Sequence, residues 1–268
     1  MAISYEDDSE LAEICGARLV ICVLGRFRVI GREGEIPISW GSKTAALLSD
    51  LALRERFQAP SETLLAALWP RENDEARARN ALTSLVGDLR KRFKEVAEGA
   101  SPIVTTPNGY RLNTQDGITV DADRFAALVD QGERQQKEGR IASAVDSWWK
   151  SAALYSGDLH VGDDVRFVIE RERLRSLHHL SLWRLAEYFY GERDHSTALE
   201  FAFRLLEQEP CSEQAHRLVM KCQVSLGRRP LALRQYKVCE RILATEYQAK
   251  PEAATQALYD QLRRQEPY

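Results

Sequence analysis

Residues 76–93, with the sequence ARARNALTSLVGDLRKRF, carry apolar side chains at intervals of three and four positions. This spacing predicts one amphipathic helix, with Leu85 at the centre of its buried side. The apolar positions are Ala78, Leu82, Leu85, Leu89 and Phe93. The opposite side then presents polar and small residues, which are Asn80, Thr83, Ser84, Gly87, Arg90 and Lys91.

The segments before this helix change from strand-like to helical patterns. Residues 19–39 are rich in Val, Ile and Phe and contain glycines, which predicts two or three short strands joined by tight turns. Ser42 is a predicted N-cap for a first helix over residues 43–57. A second, short helix follows Pro60 and is stopped by Pro70.

After the long helix, residues 102–113 (PIVTTPNGYRLN) have the pattern of a hairpin, with its turn at Asn108-Gly109. The order of strands, helix, helix, long helix and hairpin is that of a winged helix. In that fold the second and third helices form a helix-turn-helix, and the hairpin is the wing. The loop over residues 70–74 is longer than the usual turn of three or four residues between such helices.

From about Asp123 onward, one helical pattern follows another, and a 34-residue repeat is visible. This period is typical of tetratricopeptide units, which stack side by side and leave a concave binding surface. One unit contains Leu182, Leu185, Ala186, Phe189, Ala198, Ala202, Leu205 and Pro210. The next contains His216, Val219, Met220, Gln223, Ala232, Tyr236, Cys239 and Ala244. An earlier unit is indicated around Gly132, Ala144 and Trp148.

These patterns predict a two-domain, mainly α-helical protein. A winged helix-turn-helix with a small β-sheet and a wing hairpin is followed by an α-helical tetratricopeptide-like repeat domain. The predicted boundaries are an acidic N-terminal tail at residues 1–16, the winged-helix domain at 17–115 and the repeat domain at 120–268.

Charge is unevenly distributed along the chain. The net charge is −3, and residues 1–16 carry five acidic and no basic residues. Residues 17–115 carry 15 basic and 11 acidic residues, a surplus of +4. The long helix therefore lies in the only positive part, which is compatible with a local basic face on an acidic protein.

No pattern for catalysis, metal binding or membrane insertion is present. The sequence lacks a glycine-rich phosphate loop, a dinucleotide fingerprint and a Gly-x-Ser-x-Gly elbow. Its five cysteines lack the tight pairing of a structural zinc site, and the acidic start does not resemble a secretory signal. We therefore expect no enzymatic activity, no metal, no cofactor and no membrane contact.

The polar side of the long helix has two interpretations. Asn can bind adenine with two hydrogen bonds, Arg can bind guanine, and Ser or Thr can contact either base, so these types suit the major groove of DNA. A polar outer side is equally expected of any surface helix. The chemistry of the residues leaves both interpretations open, and the winged-helix order favours the first.

The chain resembles the Streptomyces antibiotic regulatory proteins (SARP), over roughly residues 18–265. These proteins join a winged helix to a bacterial transcriptional activator domain (BTAD) of tetratricopeptide-like repeats. The segments that carry the resemblance are LGRFRV (24–29), GSKTAALLSDLAL (41–53), LLAALWP (64–70), ARNALTSLVGDLRKRF (78–93), NGYRL (108–112) and EPCSEQAHRLVMKCQVSLGRRPLALRQYKVCERIL (209–243).

The resemblance implies a DNA-binding activator that binds direct repeats in promoters and recruits RNA polymerase. The long helix would enter the major groove, and the wing would touch the minor groove or the backbone. The implied DNA-binding residues are Lys43, Arg79, Asn80, Thr83, Ser84, Arg90, Lys91, Thr106, Asn108 and Arg111. The implied polymerase contacts are Pro70, Arg71, Glu72, Asn73 and Asp74.

Gly87-Asp88 departs from the family pattern, because relatives usually carry a Ser-Arg pair there. Three interpretations of Asp88 follow from its chemistry. Its carboxylate accepts a hydrogen bond from cytosine, repels a DNA phosphate, or pairs with Arg77 or Arg92 on its own helix. The repulsion is favoured, because an acidic residue replaces a basic one.

Together these observations predict a cytoplasmic, nucleoid-associated transcriptional activator with sequence-specific DNA binding. Its expected partners are double-stranded promoter DNA, RNA polymerase holoenzyme, and a protein or small-molecule effector at the repeat domain. A homodimer is left open. The alternative is a tetratricopeptide-type interaction scaffold whose winged helix no longer binds DNA.

Overall fold

The computed structural model describes residues 8–32, 34–39, 41–94, 101–115, 117–159 and 165–264. It divides into two compact units. The first unit comprises Met1–Asp130 and Lys150–Ser176, and the second comprises Gln131–Trp149 and Leu177–Tyr268.

The first unit contains the strands and the shorter helices. In chain order they are α1 (Asp8–Cys15), β1 (Leu19–Cys22), β2 (Arg28–Gly31), β3 (Gly34–Ile36), α2 (Lys43–Ala52), β4 (Gln58–Pro60), α3 (Ser61–Leu68), α4 (Glu75–Phe93), β5 (Ile103–Thr106), β6 (Gly109–Leu112) and β7 (Ile118–Val120). Three helices contribute residues to both units: α5 (Asp121–Lys137), α6 (Ile141–Leu154) and α7 (Val165–Gly191). The second unit ends with α8 (His195–Gln208), α9 (Glu213–Ser225), α10 (Arg229–Tyr247) and α11 (Ala253–Arg264).

The first sheet has the strand order β3-β2-β1-β7. Its central strand β1 is buried along its whole length, as expected for a continuous apolar run that is covered on both faces. On one side β1 pairs with β2 in antiparallel fashion, and on the other it pairs with β7 in parallel, with Leu19 opposite Ile118. Strand β7, which follows the hairpin in the sequence, was not predicted. It forms the edge of this sheet next to β1.

The N-terminal segment contains more structure than a tail. Residues 8–15 form α1, and this helix buries Leu11 and Cys15. The C-terminal end of α1 is also joined to α5, because Nε of Arg124 donates to the carbonyl oxygen of Ile14 at 3.0 Å. Residues 1–7 of the predicted tail lie outside the described part of the chain.

The second sheet contains the predicted hairpin, in the order β4-β6-β5. Thr106 pairs with Gly109, so the connecting residues are Pro107 and Asn108, one position earlier than predicted. Gly109 lies within the strand because β4 and the start of α3 approach its backbone closely. A Cβ atom on Gly109 would lie 2.1 Å from the carbonyl oxygen of Ala59, so the glycine is needed within the strand.

Helix α2 ends at Ala52, five residues before its predicted end. The side chain of Arg54 turns back to Asp50, with hydrogen bonds of 2.6 and 2.9 Å between guanidinium and carboxylate. Arg56 and Phe57 then have φ angles of 54° and 56°, a left-handed conformation that no α-helix continues through. The chain leaves in extended form as β4, a strand that the apolar pattern did not indicate.

The long helix α4 packs against α2, α3 and β5. Its buried residues are Ala78, Leu82, Val86, Leu89 and Phe93, whereas Leu85 is only half-buried. With 100° per residue, this set is centred about 60° away from Leu85. The predicted helix is therefore present, but its outward face is rotated by the same angle.

Asp121, the first residue of α5, joins this helix to the first sheet. Its buried carboxylate accepts hydrogen bonds from the backbone N–H groups of Val23 (2.8 Å), Leu24 (3.1 Å) and Ala122 (2.7 Å). Burial raises the pKa of Asp121 to about 7, against the lowering effect of the three N–H donors. The Ser156 hydroxyl adds a bond of 2.6 Å to the Leu24 carbonyl oxygen. The compact unit around the winged helix thus extends beyond the predicted boundary at residue 115.

The second unit is built from stacked antiparallel helices, in which α9 packs against both α8 and α10. The small residues Ala186, Ala198 and Ala232, at which the predicted repeat has its helix crossings, are fully buried. In the earlier predicted unit, a Cβ atom on Gly132 would lie 2.4 Å from Nε1 of Trp148. The glycine therefore allows the buried indole to pack directly on the backbone of α5.

Candidate nucleic-acid interface

The centre of the outward face of α4 is formed by Asn80, Ser84 and Lys91, which are all exposed. No hydrogen bond or ion pair joins these side chains to another described residue. Gly87 and Asp88 flank them, and a Cβ atom on Gly87 would meet no atom within 4 Å. The face therefore presents one amide, one hydroxyl and one ammonium group that are available for an external ligand.

Two other predicted residues on α4 form contacts within the helix. The guanidinium of Arg79 lies 2.5 Å from Oε1 of Glu75, and both side chains are exposed. The Thr83 hydroxyl donates to the Arg79 carbonyl oxygen at 3.0 Å. An exposed pair of this kind contributes a few tenths of a kcal/mol and exchanges readily, so Arg79 remains accessible to a ligand.

Arg90 has a different environment from the one predicted. Its Nε donates to the carbonyl oxygen of Ile103 at 3.0 Å, and Nη2 donates to the Thr105 hydroxyl at 2.8 Å. Both acceptors belong to β5, the first strand of the hairpin. After the 60° rotation of α4, Arg90 lies at the edge of the outward face, where it joins the long helix to the hairpin.

The three predicted residues of the hairpin lie near its turn. Asn108 is exposed, and its carbonyl oxygen accepts a hydrogen bond of 2.8 Å from the backbone N–H of Ser61, the first residue of α3. Thr106 and Arg111 are half-exposed, and Arg111 pairs with Gln58 of β4. The hairpin is thus anchored to the second and third helices of the winged helix.

A groove of about 540 Å³ connects the hairpin to α4. Its walls are the start of α3, the turn of the hairpin and the side chain of Arg79. Thr106 and Asn108 line it on the hairpin side. The groove therefore brings together residues that the sequence analysis assigned separately to the helix and to the wing.

Lys43 opens α2 as predicted, but its ammonium group has an internal role. Nζ donates a hydrogen bond to the carbonyl oxygen of Leu68 at the end of α3, and it lies 5.5 Å from the centre of the Trp69 ring. A cation is favourable at the C-terminus of a helix. Lys43 therefore stabilises the packing of α2 on α3, and a DNA phosphate would have to compete with that contact.

All five residues of the loop Pro70–Asp74 are exposed. Asp74 is the N-cap of α4, because its Oδ1 accepts from the backbone N–H of Arg77 at 3.0 Å. Oε1 of Glu72 accepts from the backbone N–H of Asp74 at 3.2 Å. Two of the five predicted polymerase contacts thus shape the loop, and Arg71 and Asn73 form no side-chain hydrogen bond to another described residue.

The sequence analysis missed Arg77 as a candidate for this surface. Arg77 is exposed and lies beside Lys91 and Ser84 on the outward face once the rotation of α4 is included. A helical wheel centred on Val86 would have identified it. Arg92 points elsewhere, since its guanidinium donates to the carbonyl oxygen of Pro37.

Two general features of the chain bear on other functions. Among the described residues, no helix is long and apolar enough to cross a membrane. In the same part of the chain, no group of three or more His, Cys, Asp and Glu side chains is placed to hold a metal ion.

Comparisons with known proteins support the two-part architecture. The model of the bacterial transcriptional activator domain family matches residues 120–263, more than half of the chain. The structure of Mycobacterium tuberculosis EmbR in complex with a low-affinity phosphopeptide is similar, with a TM-score of 0.71 at 24% sequence identity. That match covers 94% of this chain and 66% of EmbR, so the chain spans less than two thirds of the length of EmbR. No curated protein matches the chain.

The predicted fold class, a winged helix followed by a helical repeat domain, is confirmed by the structure and by its likeness to EmbR. The resemblance to SARP-type regulators is confirmed by the family match, which falls on the predicted BTAD segment.

Proposed function

Because the chain belongs to the bacterial transcriptional activator domain family and is a SARP-type transcriptional regulator, we propose that it binds promoter DNA sequence-specifically and activates transcription. The helix α4 enters the major groove, and the hairpin contacts the neighbouring backbone or minor groove. The protein then recruits RNA polymerase holoenzyme to the promoter.

The observation that carries this proposal is the outward face of α4. Asn80, Ser84 and Lys91 are exposed there without partners among the described residues. The 19 residues of α4 extend over about 28 Å, and the major groove, about 12 Å wide, admits a helix. Asn and Ser supply hydrogen bonds to base edges, whereas Lys91 and Arg77 supply positive charge for phosphates.

The anchoring of the hairpin supports the second part of the interface. Arg90 holds β5 against α4, and Ser61 holds the turn against α3. A wing fixed in this way keeps Thr106, Asn108 and Arg111 at a constant distance from the helix. The side chains that contact DNA are then pre-organised, which lowers the entropic cost of binding.

The exposed loop Pro70–Asp74 is the proposed contact with RNA polymerase. Glu72 and Asp74 fix its shape, which leaves Arg71 and Asn73 for the polymerase. In this proposal the protein acts at the nucleoid in the cytoplasm, and an effector at the repeat domain controls it. In this proposal the site residues contact DNA or protein, and none of them has a catalytic, cofactor-binding or metal-binding role.

The test is binding of the full chain to DNA fragments selected from its own genome, with isotherms at several salt concentrations. We expect tight binding to a selected site, weaker binding to a random duplex, and a steep fall in affinity with salt. The variant with Asn80→Ala, Ser84→Ala and Lys91→Ala should lose the preference for the selected site. No binding at low salt would contradict the proposal and favour the interaction scaffold.

A further inference from the structure

The contact between Lys43 of α2 and the end of α3 lies directly before the exposed loop Pro70–Asp74. The ammonium of Lys43 donates to the carbonyl oxygen of Leu68, and it lies 5.5 Å from the centre of the Trp69 ring. Leu68 is the last residue of α3, and Trp69 is the C-cap of this helix. One side chain of α2 therefore holds both of the residues from which the loop departs.

The backbone of Lys43 is held in place independently of the loop. Lys43 is the first residue of α2, and the hydroxyl oxygen of the N-cap Ser42 accepts from the backbone N–H of Ala45 at 3.2 Å. One turn further on, Leu47 is fully buried and fixes this helix in the core. The contact with the end of α3 is thus made by one flexible side chain on a rigid support.

Hydrogen bonds continue from Trp69 through the loop to the start of α4. The carbonyl oxygen of Trp69 accepts from the backbone N–H of Glu72 at 3.1 Å. Oε1 of Glu72 accepts from the backbone N–H of Asp74 at 3.2 Å, and Oδ1 of Asp74 accepts from that of Arg77 at 3.0 Å. Because all five loop residues are exposed, burial contributes little to the order of the loop, and these hydrogen bonds determine its shape.

The backbone conformation of Trp69 decides where this series of hydrogen bonds begins. The chain leaves the helix at Trp69, whose φ and ψ angles are −130° and 59°. A rotation of this residue would move the carbonyl oxygen that accepts from Glu72. The ammonium of Lys43 opposes such a rotation, because it binds the Trp69 ring and the preceding carbonyl oxygen together. A cation is favourable at both places, since the C-terminal carbonyl oxygens of a helix and the face of an indole ring carry partial negative charge.

We propose that Lys43 is a positioning residue for the loop Pro70–Asp74, which it holds in the shape that binds RNA polymerase. This role rests on the proposed contact between the loop and polymerase. Lys43 itself then contacts neither DNA nor polymerase, and Arg71 and Asn73 are the side chains that its contact pre-organises. Its assignment to DNA, which the family resemblance implies, is the alternative role.

The first experiment measures the loop in the full chain without DNA or polymerase. In Lys43→Gln, hydrogen exchange at short labelling times, followed by mass spectrometry, should be faster over residues 69–77. The expected factor is about two- to fivefold, the scale of an exposed cation–π contact, and exchange in α2 should be unchanged. Lys91→Gln is the matched control, because its ammonium has no internal partner among the described residues, and it should leave exchange in the loop unchanged. Equal exchange in the loop of Lys43→Gln and the wild type would overturn the proposal.

The second experiment compares DNA binding with transcription. In Lys43→Gln, the salt dependence of binding to the selected site should be unchanged, whereas the loss of a phosphate contact would flatten it by about one unit. Activation of polymerase holoenzyme at saturating protein should fall by about two- to fivefold. A flattened salt dependence with full activation would overturn the proposal and make Lys43 a DNA contact.

The two proposals fail in different ways. If the wild-type chain binds its site without activating transcription, the proposed role of the loop fails, and the role of Lys43 fails with it. If the wild type activates and Lys43→Gln activates equally well, only the role of Lys43 fails.

Two further variants separate positioning from a general loss of stability. Lys43→Arg keeps a cation that can donate to the Leu68 carbonyl oxygen and lie over the ring, so it should retain the wild-type exchange and activation. Trp69→Leu removes the ring and should speed exchange in the loop by a similar factor. Because both residues act through one contact, the double variant of Lys43→Gln and Trp69→Leu should exchange about as fast as either single variant. Circular dichroism verifies that all variants are folded. Additive effects, or a Lys43→Arg variant that behaves like Lys43→Gln, would overturn the proposal.

Discussion

The side chain of Arg90 on α4 donates a hydrogen bond from Nε to the carbonyl oxygen of Ile103 on β5, at 3.0 Å. The same guanidinium reaches the Thr105 hydroxyl at 2.8 Å. The proposed recognition helix and the proposed wing are therefore connected by one side chain. Under the DNA-binding proposal, Arg90 is a positioning residue for the wing, and base contacts fall to its neighbours.

Arg90→Ala should weaken binding to a specific and to a random duplex by similar factors, because the wing loses its anchor. It should also lower the free energy of unfolding by about 1.5–3 kcal/mol, the scale of hydrogen bonds to a charged group. Lys91→Ala is the matched control, since its ammonium has no internal partner among the described residues. That variant should flatten the salt dependence by about one unit and leave stability unchanged. A loss confined to the specific duplex at unchanged stability would instead make Arg90 a base contact.

Asn80→Ala and Ser84→Ala should reduce the discrimination between specific and random DNA. A good bidentate contact such as Asn to adenine is worth about 1–3 kcal/mol against a wrong base, and Ser should contribute less. Asn73→Ala is the control of the same residue type in the loop before α4, and it should leave DNA affinity unchanged. In a transcription assay, however, Asn73→Ala should lower activation if the loop contacts polymerase. Equal weakening on both duplexes by Asn80→Ala would exclude base recognition at this position.

Asp88→Asn should tighten binding to every DNA sequence, most strongly at low salt. Asp88 is exposed and has no ion pair with Arg77 or Arg92, and Arg92 is engaged by Pro37. The structure thus argues against the pairing of Asp88 on its own helix, and repulsion of a phosphate remains the favoured interpretation, at about 0.7 kcal/mol for a separation of ~6 Å in water. Isotherms at two salt concentrations on both duplexes provide the measurement. Selective loss on the specific duplex would identify a contact with cytosine, and no change would remove Asp88 from the interface.

Two glycines of the interface should respond in opposite directions to the same substitution. Gly109→Ala should destabilise the protein strongly, because the new methyl group would overlap the Ala59 carbonyl oxygen. Gly87→Ala should stabilise α4 by up to about 1 kcal/mol, since the added Cβ meets no atom within 4 Å and alanine favours a helix. If α4 approaches DNA closely at this position, Gly87→Ala should nevertheless weaken DNA binding. Thermal unfolding and DNA isotherms of both variants separate these effects.

Asp121→Ala should destabilise the first unit by about 2 kcal/mol or more, because it leaves the buried N–H groups of Val23 and Leu24 without an acceptor. Asp123→Ala is the control, an exposed acid in the same first turn of α5, and it should cost less than about 1 kcal/mol. Urea unfolding measures both. An equal, small effect of the two substitutions would show that the link between β1 and α5 contributes little.

By the same reasoning, a fragment of residues 1–115 should be poorly folded, since it lacks β7 and Asp121.

The long helix, the hairpin and the stacked repeats could be predicted because their signals are local. The signal for α4 is the apolar spacing of three and four positions, and the signal for the hairpin is an Asn-Gly pair near its turn. The signal for the repeats is a pattern of large and small residues that recurs after 34 positions. Leu85 was chosen as the centre of α4 because apolar spacing alone weighs all apolar residues equally. The structure shows that Val86 is the more buried residue, since α4 is covered by helices on one side and by β5 on the other.

The parts that were not predicted depend on partners distant in sequence. Strand β7 has only three residues, and it is recognisable only because Leu19 lies opposite Ile118. The roles of Arg90 and Lys43 could not be inferred either, because their acceptors are backbone carbonyl oxygens, which every residue carries. The internal contacts of Arg90 and Lys43 could therefore be found only in the structure, and their assignment to DNA binding stays a prediction.

The bond between Ser156 and the carbonyl oxygen of Leu24 spans 132 positions of the chain. A bacterial ribosome adds about 5–20 residues per second, so the β1 region waits roughly 7–26 s before this partner has been synthesised. During that interval the apolar strand β1 lacks β7, Asp121 and the segment around Ser156. The nascent chain should therefore depend on chaperone protection until the segment around Ser156 has left the ribosome. A fusion protein that exchanges only α4, the proposed DNA-contacting helix, would keep that dependence unchanged.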